Sequence, residues 1–185
     1  QNYHDTYRTY PLGSFNLRVA WPSNGSNWRA EILQFIEEGS VYEQLSFTAT
    51  SHFMAGGAAG GNALLDNEVL RNLVIKTYQC PSSVLDEIGG LNNTYAMNAH
   101  YVGNQGCARP VPGGDPNMGT KDCGHGWSCN NGVLVPNECF KMKDVLDGTS
   151  NTLLVAEQSS TVSVLRINAT SNYYGAWYGS RHDRP

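Results

Sequence analysis

Three sets of side chains in this sequence could carry chemistry. The first is Cys123-x-His125-x3-Cys129, three potential zinc ligands within a few residues. Structural zinc sites usually present a tight Cys-x2–4-Cys knuckle, which is missing here. Cys107 and Cys139 supply two further thiols, so four cysteines crowd into one segment and disulfides fit the spacing better than zinc. Four cysteines allow three pairings, of which Cys107–Cys123 with Cys129–Cys139 needs the least chain crossing. Cys80 is the odd one, expected buried.

The second set is an oxygen-rich run. Asp144, Asp147 and Asn151 lie close together and Glu157 follows, a donor set that calcium favours. EF-hand spacing is absent, and the same residues serve equally as turn-stabilising side chains. The third set is His4, His52, His100, His125 and His182, too scattered to define a triad from order alone. No G-x-S-x-G elbow, HExxH helix or CxxCH haem site is present. The glycines of 56–61 lack the Lys that a phosphate-binding loop needs, so they read as a surface loop. Asn24, Asn92 and Asn168 match the N-glycosylation pattern.

These residues must be positioned by a chain of 185 residues, long enough for one domain with a core of its own. Its net charge is −4 and its charges are dispersed, which argues against a nucleic-acid surface or a polybasic membrane patch. Only 15% of residues are charged, and Gly, Asn, Ser, Thr and Tyr are abundant, as in extracellular proteins. No stretch approaches the roughly eighteen apolar residues of a membrane span. The segment 103–139 is poor in apolar side chains and rich in Pro and Gly, so staples in an oxidising compartment suit it.

Taken in order, residues 1–10 read as the last turns of a helix that ends before Pro11. The chain opens at Gln1 without a Met, as a processed product or part of something longer would. Residues 15–21 alternate apolar and polar. Ser26 or Asn27 can cap an amphipathic helix through Tyr42, with Glu31 aiding its first turn. Asp66 or Asn67 can cap a short helix to Asn72. Strands are expected at 74–78, 93–102, 153–157, 162–167 and 173–178, and a helical turn or two at 140–146. Asp147-Gly148-Thr149-Ser150-Asn151-Thr152 is a tight turn delivering the chain into a buried strand. Helices first and strands later predict an α+β fold with a largely antiparallel sheet.

Five blocks in this order resemble one family. They are Asn2-Tyr3-His4-Asp5-Thr6-Tyr7 ending in Pro11; Trp28 with Leu33-Gln34-Phe35-Ile36-Glu37 and Tyr42; Cys80-Pro81-Ser82-Ser83; Asn93-Thr94-Tyr95; and the 147–152 turn with Glu157. Together they look like the blocks of large bacterial prepilin-like proteins, especially abundant in planctomycetes. Such proteins carry a prepilin-type N-terminal cleavage and methylation segment followed by a domain of unknown function.

The resemblance implies a type IV pilin/pseudopilin-like fold, with an N-terminal helix packed on the sheet and 103–139 as a disulfide-stapled elaboration. It also implies an apolar helix that anchors the precursor in the inner membrane, here missing apart from 1–10. A final Asp-Gly-Ser strand of the family pattern is absent beyond Pro185. The function it implies is a non-enzymatic structural subunit at the cell surface, reached through the inner membrane and periplasm, with copies of itself or related pilin-like subunits as partners. No cofactor is implied. The alternative is an extracellular glycan- or ligand-binding module, suggested by Tyr173, Tyr174, Trp177 and Tyr178, with Trp127 in the stapled segment.

Overall fold

The computed structural model describes residues 1–15, 25–48, 53, 66–88, 96–106, 131–158 and 177, and the backbone of 120–122, 127–129, 162–164 and 167–169. The Gly-rich stretch, Asn24, Asn92, the 93–95 block, and Cys107, Cys123 and His125 lie outside these residues.

Helix α1 (Asn2–Tyr7) ends where Arg8 turns left-handed, at φ 61°, and donates its N–H to the His4 carbonyl. None of its residues is buried, yet one side of it is aromatic. Tyr3 and Tyr7 meet Phe35 edge-on at centroid distances of 5.6 and 6.0 Å. Gln34 adds a hydrogen bond from Nε2 to the Tyr7 hydroxyl at 3.1 Å. The chain leaving α1 is then held by the Tyr10 N–H on the Phe140 carbonyl, at 2.7 Å.

Asn27 caps the next element as its type predicts, its side chain accepting the Arg29 N–H at 3.0 Å. The single helix expected through Tyr42 is instead three pieces: α2 (Trp28–Glu31), a 3₁₀ turn (Leu33–Phe35) and α3 (Gly39–Tyr42). The break lies at Glu37, which is left-handed at φ 69°, while the Glu38 N–H reaches back to the Leu33 carbonyl. That six-to-one bond is the mark of a Schellman stop, here built on a residue that carries a Cβ.

Two further expectations change for local reasons. Residues 74–78 do not form a strand; Lys76–Tyr78 is a 3₁₀ turn. Its three-residue period puts Ile75 and Tyr78 on one face, and both are buried. After Asn67, the expected helix is only the 3₁₀ turn Glu68–Leu70, without a side-chain cap. The buried Asn67 amide is used elsewhere: Oδ1 accepts the Ser46 N–H at 2.8 Å and Nδ2 donates to the Ser46 carbonyl.

Strand β1 (Tyr101–Gly103) pairs antiparallel with β4 (Val155–Glu157), Val102 opposite Ala156. The Asn104 N–H on Leu154 and the Gln158 N–H on His100 extend the pairing at both ends. Inside the cysteine-rich segment β2 (Thr120–Asp122) pairs antiparallel with β3 (Trp127–Cys129). The strand expected at 162–167 is in fact an antiparallel pair, β5 (Val162–Val164) with β6 (Ile167–Ala169). Residues 153–157 are not a buried strand: Leu153 is 62% exposed and β4 is at most half-buried. Among the described residues the strands form three separate two-stranded antiparallel pairs.

The core gathers around α2. Ala30 and Leu33 are fully enclosed, with Phe53, Leu70, Met97 and Trp177 packed about them. Gly103 lets β1 approach this layer, since a Cβ there would lie 2.8 Å from Trp28 Nε1 and 2.9 Å from Leu134 Cδ1. Among the described residues no helix is long and apolar enough to cross a membrane.

Candidate functional site

The two faces of α2 carry two charges. Arg29 is buried and its guanidinium lies 4.9 Å above the Trp28 ring. Nε donates to the Tyr101 carbonyl at 2.9 Å, Nη2 to the same oxygen, and Nη1 to the Trp177 carbonyl at 3.3 Å. Asn27 Nδ2 donates to that Trp177 carbonyl as well, and the Tyr78 hydroxyl donates to the carbonyl of Arg29. Burial lowers the guanidinium to about 10, so it stays charged at neutral pH. Its partners are main-chain carbonyls, which makes it a structural clamp between α2, β1 and Trp177.

Glu31 faces a different surrounding. Its carboxylate accepts the Ser26 hydroxyl at 2.7 Å and lines a cavity of about 160 Å³, shared with Leu12, Phe15, Phe47, Thr48 and Phe53. Burial pushes the carboxyl above its usual range, and the Ser26 bond only partly offsets this. The titrating groups around it are acids. Burial, then Glu31, raises the Tyr3 and Tyr42 phenols and the Cys139 thiol. Among the described residues no basic side chain pairs with Glu31.

In the 147–152 turn two side chains, those of Asn151 and Thr152, bond the turn's own backbone. Gly148 sits at φ 81°, Asn151 Nδ2 donates to the Asp147 carbonyl at 2.9 Å, and the Thr152 hydroxyl donates to the Gly148 carbonyl at 3.1 Å. Of the calcium candidates, Asp144 accepts the Lys141 N–H at 2.8 Å, and the Asn151 amide is engaged as just described. Thr149 and Thr152 also line a small cavity of about 100 Å³ with Tyr10, Val133, Val145 and Leu154. Among the described residues no group of three His, Cys, Asp or Glu side chains is placed to hold a metal.

Cys80 is half-buried and Cys139 exposed, and both are free thiols. The staple expected to include Cys139 is thus not formed at that residue, which sits by Thr9 and Glu31. Cys129 is described by backbone alone. The Cys80 N–H donates to Nδ1 of His100 at 2.7 Å, leaving the imidazole proton on Nε2, a buried donor with no partner among the described residues. With Nδ1 occupied by a main-chain N–H, that nitrogen is not available as a base toward the Cys80 thiol. His4 packs against Tyr10, at 5.5 Å. His52 and His182 lie outside the described residues, as do Tyr173, Tyr174 and Tyr178. Trp177 is fully buried and offers no ring face to a sugar. Asn168 lies in β6, opposite Ser163.

Sequence reasoning missed both charges of α2. A signal for Glu31 was present: it stands three residues after Trp28 and four before Phe35, on the stripe that faces inward. For Arg29 no pattern pointed inward.

No curated protein and no solved structure matches this chain. A sequence model of one protein family, described as protein of unknown function (DUF1559), matches residues 1–183. With nearly its whole length so matched, the chain belongs to that DUF1559 family.

Proposed function

We propose that this chain is the globular part of a non-enzymatic, extracytoplasmic structural subunit, prepilin-like in origin and pilin- or pseudopilin-like in architecture. It forms or decorates a filament or secretion apparatus at the cell surface, with copies of itself or related subunits as partners. One observation carries the reading: side chains of the first, second and last of the blocks that mark the resemblance are spent on the chain's own architecture. The Asn151 and Thr152 side chains bond the backbone of their own turn, and Phe35 of the second block packs on Tyr3 and Tyr7 of the first. Aromatic packing of that kind orients α1 against the globular part, as a subunit joined to an upstream helix requires. A disulfide among Cys107, Cys123 and Cys129 and a planctomycete-type origin belong to the same proposal.

The test is electron microscopy of the protein bearing the apolar N-terminal helix that the resemblance implies. Ordered filaments, or regular decoration of one, are the expected result. Particles that stay monomeric under assembly conditions would overturn the proposal.

A further inference from the structure

The cavity beside Glu31 has the chemistry of a binding site that filament membership does not require. Leu12, Phe15, Phe47 and Phe53 give it apolar and aromatic walls, and among the described residues Glu31 is its one charged lining residue. The Phe47 and Phe53 rings lie 5.4 Å apart, so two walls hold each other in place. Ser26, itself buried, fixes one carboxylate oxygen from within the same cavity. At about 160 Å³ the space matches cavities of roughly 150 Å³ that take a benzene-sized guest.

A carboxylate among aromatic rings discriminates by charge. An anion is repelled, and a neutral guest leaves the acid desolvated without compensation. A cation supplies both the missing charge partner and an attraction to the rings. The titratable groups near Glu31, the Tyr3 and Tyr42 phenols and the Cys139 thiol, are held in their neutral forms and supply no cation of their own to the carboxylate. An alkyl chain of about four carbons matches the apolar walls, and a primary ammonium head matches the Glu31–Ser26 end.

We infer that this cavity binds a primary alkylammonium group, with Glu31 receiving the head and Phe15, Phe47 and Phe53 enclosing the chain. Free amines and lysine side chains carry the same group.

Calorimetric titration of the chain with n-butylammonium chloride tests the assignment, with n-butanol and butyrate as matched neutral and anionic probes. Saturable one-to-one binding of the amine is expected, with butanol weaker by roughly tenfold or more and butyrate not bound. Glu31→Gln keeps an acceptor for Ser26 and should lose amine affinity by a similar factor, with far-UV circular dichroism unchanged. Phe47→Ala, at a partly exposed wall, should weaken amine and butanol alike. Absence of saturable amine binding, equal affinity for butanol, or undiminished binding by a folded Glu31→Gln variant would each overturn the inference. Lysine blocked at both its amino and carboxyl groups separates the sources: binding equal to that of the amine assigns a lysine side chain, and binding of butylammonium alone assigns a free amine.

Discussion

The guanidinium of Arg29 grips the carbonyl oxygen of Tyr101 with two of its nitrogens, from inside the core. This one side chain thereby joins α2 to the β1–β4 strand pair. A planar fork can do this; an ammonium can satisfy the charge but not the geometry. Arg29→Lys should therefore destabilise the chain by about 2–3 kcal/mol, because carbonyls of Tyr101 and Trp177 lose donors. Urea denaturation followed by tryptophan fluorescence checks the figure, and a loss near zero would show that the clamp is dispensable.

Glu31 gives stability a sign with respect to pH. Its carboxyl is raised in the folded chain, so the native state binds this proton more tightly than the unfolded state. Its penalty is absent below the ordinary carboxylate range near pH 4 and complete above the raised folded value. Stability from this residue thus falls as pH rises between the two. Glu31→Gln removes the titration, so its melting temperature should exceed that of the parent at pH 7 and converge with it in acid. A gap between variant and parent that widens as the pH is lowered would reverse the sign.

Glu37 occupies a left-handed position that glycine tolerates better. Glu37→Gly should stabilise the stop between the Leu33–Phe35 turn and α3 by up to about 1 kcal/mol, and Glu37→Val should cost at least as much. Paired thermal melts of the two variants decide it; equal melting temperatures would mean that the break is held by packing alone.

The 147–152 turn separates conformational cost from lost bonding. A Cβ on Gly148 would meet only the Asn151 amide, at 3.9 Å, so Gly148→Ala is penalised for its φ of 81° and not for crowding. A loss of about 1 kcal/mol is expected. Asn151→Ala forfeits one exposed hydrogen bond and should cost about 0.5–1 kcal/mol. Hydrogen exchange at the Asn151 amide, which donates to Gly148, reports whether the turn opens in either variant.

What was legible in the sequence was mainly local. Asn27 caps a helix because its own side chain reaches the Arg29 N–H two residues on, and Gly148 turns left because it has no Cβ. The break at Glu37 was hidden, since nothing in the Glu side chain favours a left-handed backbone and its surroundings impose it. Residues 74–78 carry β-branched side chains and read as a strand, yet Ile75 and Tyr78 both pack inward at a spacing of three. The charges of α2 were hidden for a related reason. Periodicity assigns polar residues to the surface, whereas Arg29 goes inward because the Tyr101 and Trp177 carbonyls accept its protons, and Glu31 because the inward-facing stripe carries it.

The two hydrogen bonds between Asn67 and Ser46 do the work of a strand pair with a single side chain. It closes a loop 21 residues apart in sequence, and Phe53, buried within that interval, is a second anchor. A single substitution, Asn67→Ala, therefore removes both of these bonds at once and leaves the N–H and the carbonyl of Ser46 without the one amide that serves them together.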